Sequence, residues 1–286
     1  MGMDLGTRYR TLGARGFARW FLVKRVGKVS FRRIDDFFAA QSLVGDPAVF
    51  DTSRFPWVAE FEGEWKRVRE ELDALLEHRD LLPNLQEIQP DQMKVSPDDK
   101  WKTFVLYGYG YRSDRGCARC PETARLLERI PGMTSAWFSI LAPGKHIPRH
   151  AGVTKAIIRC HLALKVPKQG DRVRMQVGDE LCRWQEGRCL LFDDSRKHEV
   201  WNDTDEERVV LIFDVQRPMT RMGRALARIQ SWVLRQSPFV RDARRNQLAW
   251  EDRILGALEA GPGSMRPAGK GPLDQSGRGD AAATAR

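Results

Sequence analysis

Hydrophobic positions recur with a helical period near both ends of this chain and with a strand period between them. Over residues 1–48, Phe17, Trp20 and Phe21 fall at helical spacing with Lys24, and Ile34, Phe37 and Phe38 open a second stripe before Asp46-Pro47 breaks it. From Phe61 to Leu82 the pattern is again helical, with Trp65, Val68, Leu72, Leu75 and Leu76 on one side. Trp101 to Tyr111 reads as an aromatic, β-branched strand, and Thr123 to Ile130 as a short helix stopped by Pro131-Gly132. Between Met133 and Val215 the pattern breaks into short strands: Ala136–Leu141, Ala156–Val166, Val173–Val177, Leu190–Phe192 and Val209–Val215. Turn residues such as Pro143-Gly144, Gly178-Asp179 and Asp193-Asp194 separate them. Strands of this length and spacing predict an all-β sandwich or barrel. Beyond Pro218 the spacing predicts an amphipathic basic helix with Met222, Leu226, Ile229 and Val233 on its apolar face. The Gly-, Pro-, Ala- and Ser-rich residues 261–286 read as a disordered tail.

Composition supports a folded protein: 286 residues, 42% hydrophobic, nine tryptophans. The net charge of +10 is concentrated towards the ends, from Arg8 to Arg33 and from Arg221 to Arg245. Such segments suit an acidic surface, an anionic membrane or nucleic acid, or are simply solvated helix faces. No recognisable nucleic-acid motif is present, so no specific nucleic-acid partner is expected. No apolar run approaches the roughly 20 residues that span a bilayer. Trp20-Phe21-Leu22-Val23 is too short for a signal-peptide core, which predicts a cytoplasmic protein, peripheral at most to the inner face of the membrane. Five cysteines form no disulfide framework. Cys117 and Cys120 make one CxxC pair, half a zinc site, and read as reduced structural thiols.

Four of the five histidines, His146, His150, His161 and His198, fall in the strand-rich region, which invites a metal reading. The residues around them carry a more specific signal. The stretch Phe138-Ser139-Ile140-Leu141-Ala142-Pro143-Gly144-Lys145-His146-Ile147-Pro148-Arg149-His150-Ala151-Gly152 resembles the aspartyl/asparaginyl β-hydroxylase family. So do Arg159-Cys160-His161-Leu162-Ala163-Leu164 and the run from Trp184-Gln185-Glu186-Gly187 through Phe192-Asp193-Asp194-Ser195-Arg196-Lys197-His198 to Arg208, Phe213-Asp214-Val215 and Pro218. The resemblance covers roughly residues 100–218, as separated motifs in order.

That resemblance implies a mainly β chain with a double-stranded β-helix core of the jelly-roll or cupin type, flanked by N- and C-terminal helices. It further implies a hydroxylase domain over 49–218 (β-helix core about 101–218) between a basic helical extension, 1–48, and basic amphipathic helices, 219–260. The cofactors it implies are iron(II), 2-oxoglutarate and oxygen. His150 and His198 match the iron ligands. Arg208 and Ser139 match residues that bind the distal carboxylate of 2-oxoglutarate, and Arg159 and His161 match positions near its metal end. A guanidinium suits a carboxylate through paired charge-assisted hydrogen bonds. The position two after His150, where such centres carry a carboxylate, is Gly152, as in the peptide-hydroxylating branch and in two-histidine halogenases. Asp193 and Asp194 read as turn formers.

The first substrate reading is an Asp- or Asn-type residue in a peptide or amino acid. Against it, Ile157 stands where the peptide-hydroxylating relatives carry a second arginine. The second is a lipid acyl chain at a membrane surface, since the layout is also similar to bacterial lipid A acyl-chain hydroxylases. A non-catalytic basic β-barrel that binds partners is the reading from another class.

Overall fold

The computed structural model of the chain describes residues 34–259. The readings on Phe17, Trp20, Phe21 and Lys24, and on the tail after Gly261, lie outside them. The described chain opens with helix α1 (residues 34–41) and strand β1 (Val49–Phe50), then helices α2 (Trp57–Gly63), α3 (Trp65–Leu76) and α4 (Leu85–Ile88). Strands β2 (Trp101–Gly108) and β3 (Tyr111–Arg112) precede helices α5 (Asp114–Arg119) and α6 (Pro121–Glu128). The core follows as β4 (Met133–Leu141), β5 (Lys145–His150), β6 (Ile157–Lys165), β7 (Val173–Val177), β8 (Glu180–Cys182), β9 (Cys189–Phe192), β10 (His198–Asn202) and β11 (Arg208–Gln216). Helices α7 (Arg221–Arg235) and α8 (Pro238–Glu259) close it.

These strands form two antiparallel sheets, a seven-stranded one in the order β1-β9-β6-β11-β4-β2-β3 and a four-stranded one in the order β5-β10-β7-β8. From β4 onward the chain alternates between them, with β4, β6, β9 and β11 in the larger sheet and β5, β7, β8 and β10 in the smaller. This is the winding of a double-stranded β-helix, as the sequence predicts. The core is β, while helices contribute more of the described residues than strands do.

The larger sheet is buried on both faces, which is why its strands are apolar runs rather than alternating ones. One face carries Phe138, Ile140, Ile158, Cys160, Leu162, Leu211 and Phe213 against Phe61, Val68, Leu72, Leu126 and Leu127 of α2, α3 and α6. The other faces the smaller sheet, packing Leu141, Ala163, Val210 and Ile212 against Ile147, Met175, Val177 and Val200. Glu71 of α3 ties the helical layer together by accepting hydrogen bonds from the backbone N–H groups of Glu122 (2.7 Å) and Thr123 (2.8 Å) and from the Thr123 hydroxyl (2.6 Å). A carboxylate there satisfies free donors and the positive end of α6 together.

Some elements differ from the sequence reading. The helix over 61–82 starts earlier and is split, because Gly63 ends α2 and Glu64 leaves helical geometry (φ −101°, ψ 6°). Strands β5, β8 and β10 and helix α5 carried too little apolar periodicity to be expected. Helix α7 forms where predicted, but Met222, Ile229 and Val233 of its apolar stripe face solvent and only Leu226 packs inward. All five cysteines are free and buried, Cys117 and Cys120 included, as the reduced-thiol reading expects. Among the described residues no helix is long and apolar enough to cross a membrane.

Phe213 joins the sheet to the helices, its ring meeting Trp57 at 5.6 Å and Phe61 at 5.1 Å between centroids. Replacing it with alanine is expected to remove about 3–5 kcal/mol of stability. Urea denaturation measures this, and a loss below about 1 kcal/mol would contradict the packing described.

Candidate active site

One cavity of about 350 Å³ runs into the barrel between the sheets, and every sequence-predicted site residue lines it: Ser139, His150, Arg159, His161, His198 and Arg208. Strand parity explains the convergence. Residues 137, 139 and 141 of β4, 157, 159, 161 and 163 of β6, and 208, 210 and 212 of β11 share the face towards the smaller sheet, while their neighbours face the helices.

His150 ends β5 and His198 begins β10, and the two are directly opposed in the antiparallel pair. The register slips by one residue between His198 and Val200, whose partners are His150 and Ile147. This bulge, at Pro148-Arg149, turns His150 to the same inner face as Ile147. Proline has no N–H to leave unpaired there. The imidazole centroids are 4.2 Å apart. His150 Nδ1 lies 2.9 Å from the Pro148 carbonyl oxygen, and His198 Nδ1 lies 2.9 Å from that of Arg196. Carbonyl oxygens only accept, so each Nδ1 carries the proton and each Nε2 keeps its lone pair. Burial, and secondarily the neighbouring His198, pulls the His150 pKa down to about 4, so its ring is neutral at pH 7. Two imidazoles oriented in this way, with their Nδ1 atoms engaged on backbone carbonyls, fit a divalent transition metal. Among the described residues no group of three or more His, Cys, Asp or Glu side chains is arranged to hold a metal ion, so the donor set here is the histidine pair.

Deeper in the cavity, Arg208 is a cation that has no anionic partner among the described residues. Its side chain is 1% exposed, its Nε and Nη1 have no hydrogen-bond partner, and its guanidinium stacks over Trp184 at 4.6 Å. Burial lowers its pKa to about 9. A buried charge of this kind costs several kcal/mol unless a counter-ion joins it, so the site fits a carboxylate ligand. Ser139 accepts a hydrogen bond from Trp101 Nε1 at 3.0 Å, which leaves its own proton free to donate. His161 stacks on Trp184 and its Nδ1 has no partner. Desolvation first, then Arg208, holds it neutral, with its pKa well below the usual range.

Arg159 lines the cavity but is committed to two carboxylates. It donates to Asp214 at 2.8 and 3.0 Å and to Asp194 at 2.6 Å. Desolvation works against its charge, and the two aspartates more than offset it. Asp193 forms the turn expected of it, accepting from the Ser195 backbone N–H (3.0 Å) and hydroxyl (2.6 Å). It is also buried against Arg217 (2.9 Å) and Lys155 (2.8 Å), which, with burial opposing them, hold its carboxyl below the usual range.

Asp194 sits in the same turn, as read from sequence, and its side chain also lies in the cavity wall. Its Oδ1 is 3.5 Å from His198 Nε2. A Cβ on Gly152 would fall 1.7 Å from Asp194 Oδ2, so the aspartate fills the volume a side chain at 152 would need. The missing carboxylate two residues after His150 and the presence of Asp194 are thus one steric fact. Sequence offered no signal for it, since the two positions are joined only by the fold.

A model of the aspartyl/asparaginyl beta-hydroxylase family matches residues 62–218. An ornithine lipid ester-linked acyl 2-hydroxylase of Rhizobium tropici is 40% identical over 221 residues, 76% of this chain and 77% of that one. The human aspartyl/asparaginyl beta-hydroxylase is 34% identical over 166 residues, which cover 56% of this chain and 21% of that protein. The human aspartate beta-hydroxylase domain-containing protein 2 is 40% identical over 136 residues, 44% of this chain and 36% of that protein. This chain belongs to the aspartyl/asparaginyl beta-hydroxylase family, a family of hydroxylating enzymes.

Two predictions follow from this geometry. His150 has a folded-state pKa below its unfolded value, so it favours folding above pH 6.5 and that contribution is lost as pH falls towards 4. Metal-free protein is expected to lose at most about 3 kcal/mol from this group across that window. Calorimetry at several pH values should show the slope flattened in His150→Gln, and an unchanged slope would contradict the assignment. Separately, Gly152→Ala is expected to cost about 1–3 kcal/mol in the native chain and under about 0.5 kcal/mol in an Asp194→Ala background. Equal costs in both would show that Asp194 does not fill that space.

Proposed function

We propose that this protein is an iron(II)- and 2-oxoglutarate-dependent hydroxylase that acts on the acyl chain of a membrane lipid. The observation that carries the cofactor reading is the uncompensated, buried Arg208 in the same cavity as the oriented His150–His198 pair. His150 and His198 would hold the metal through Nε2. Arg208 would pair with the distal carboxylate of 2-oxoglutarate, and the free Ser139 proton would donate to the same group. His161 offers an unpartnered nitrogen on the same wall. Bound together, iron(II) and 2-oxoglutarate supply the oxygen activation that turns an unactivated C–H bond into C–OH. Arg159 holds the Asp194 charge beside His198, while Phe192, Met175, Val200 and Ile212 add apolar lining that would limit water around the site.

The substrate reading rests on the apolar part of the cavity lining, where Leu85, Tyr109, Trp137, Val153, Ile157 and Phe239 stand beside the polar Gln89, Asp91 and Gln92. Ile157 is there as sequence suggested, an aliphatic wall where an acidic side chain would need a guanidinium. The Rhizobium tropici relative, matched over three quarters of both chains, acts by its name on a lipid acyl group. Together these reverse the order in which peptide and lipid stood on sequence alone.

The test supplies iron(II), 2-oxoglutarate, oxygen and dispersed ester-linked ornithine lipid, then measures succinate and a lipid product heavier by one oxygen. His198→Ala is expected to reduce succinate to background. Arg208→Ala should raise the KM for 2-oxoglutarate by roughly 100-fold or more, because it removes one side of a buried charge pair. Arg208→Lys should not recover it, since a point charge lacks the planar fork. Native turnover in His198→Ala would end the cofactor reading. Hydroxylation of a peptide with no lipid product would end the substrate reading alone.

A further inference from the structure

We propose that the outward face of α7 is a docking surface for an anionic lipid bilayer. The face is apolar where a monomeric protein is normally polar. Met222 (69% exposed), Ile229 (59%), Trp232 (63%) and Val233 (55%) follow helical spacing along one side of a 15-residue helix about 22 Å long.

Packing prevents this stripe from turning inward. The inner face of α7 is built from Gly223 and Ala227, with Leu226 seated beside Phe38, Ala156 and Met219. A Cβ on Gly223 would lie 2.8 Å from Gln41 Cβ and 2.9 Å from Met219 Cβ, so no larger residue fits against α1. Gln230 accepts a hydrogen bond from the Thr154 hydroxyl at 2.7 Å, fixing the middle of the helix. Small residues inside and large apolar ones outside invert the usual arrangement of a surface helix.

Charge identifies the occupant. Arg221, Arg224, Arg228 and Arg235, spaced three, four and seven apart, form a row beside the stripe and are all exposed. The helix has no acidic residue, and among the described residues none of the four is ion-paired. Against a second copy of the same face this row would meet cations. Against anionic headgroups it finds phosphates, while Trp232, Ile229, Met222 and Val233 enter the acyl boundary.

The surface is continuous with the cavity mouth. Arg235, in the last turn of α7, lies against Gly110, beside Tyr109. Phe239, at the start of α8, meets Tyr109 at 6.2 Å. Tyr109, Phe239 and the exposed Val153 all line the cavity. A bilayer resting on α7 therefore brings lipid to the part of the cavity lined by Tyr109, Val153 and Phe239. This surface goes beyond the hydroxylase reading, and vesicle binding is measured without turnover, so either can fail alone.

The test is co-sedimentation of the full chain with vesicles of phosphatidylcholine, alone or mixed with phosphatidylglycerol. Binding is expected only to the mixed vesicles and should weaken as salt rises. Ile229→Ser with Trp232→Ser should lower the partition roughly tenfold or more, and Arg224→Glu with Arg228→Glu should remove the preference for anionic vesicles. Circular dichroism should show both variants folded. As a second readout, an environment-sensitive dye on Trp232→Cys should shift to the blue with mixed vesicles, the five native thiols being buried. Three results would overturn the proposal: no binding by the native chain, unchanged binding by both variants, or loss of a dimer in the variants, which would make a second copy the occupant.

Discussion

The larger sheet has no face open to water, because helices cover one side and the smaller sheet covers the other. Each residue of β4, β6 and β11 is therefore assigned by parity either to the helical layer or to the barrel lumen. Lumen positions on these three strands carry Ser139, Arg159, His161 and Arg208 among Leu141, Ala163, Val210 and Ile212. A polar residue at such a position must find a partner inside the barrel. Arg159 finds Asp194 and Asp214, and Ser139 finds Trp101. Among the described residues Arg208 finds only the face of Trp184, and this unmet requirement is what the proposed anion site rests on.

The corner that holds His150 and His198 has a different origin. It lies where β5 and β10 pair, and it depends on a bulge that alters alternation by one residue. Without that slip, Arg149 rather than His150 would share the inner face with Ile147. Carbonyls two residues before each histidine then orient the rings. Asp194 reaches the same corner from the loop before β10, held there by Arg159, and the space it takes requires glycine at 152. Two imidazoles, a tethered carboxylate and a glycine thus form one packing unit.

The helices outside the barrel divide into two kinds. α2, α3 and α6 bury their apolar sides on the sheet. α7 is attached instead through Gly223, Ala227, Leu226 and Gln230, which leaves its larger apolar residues outward and beside a row of arginines. The same barrel therefore presents a cavity with a largely apolar lining and, next to its mouth, an outward helix face that is both apolar and basic.

Periodicity and local residue order were enough to specify the strands with strong apolar runs, the helices at 121–128 and 221–235 to within a few residues, a helical region over 61–82 without its break at Glu64 or its end at Leu76, and the family motifs that carry His150, His198, Ser139, Arg159, His161 and Arg208. β5 was not legible, because Lys145-His146-Ile147-Pro148-Arg149-His150 is mostly polar and its outer face meets water. Nor was Asp194 distinguishable from Asp193, since both sit in the same turn and differ only in what lies across the barrel. The direction of the α7 stripe was likewise undetermined: hydrophobic spacing shows that two faces differ, and says nothing about which one meets the core. Short-range rules act between residues a few positions apart, so sequence alone could set element types and motif chemistry. Register, the bulge, the Gly152–Asp194 fit and the outward apolar face arise from contacts between distant segments, which only the folded chain brings together.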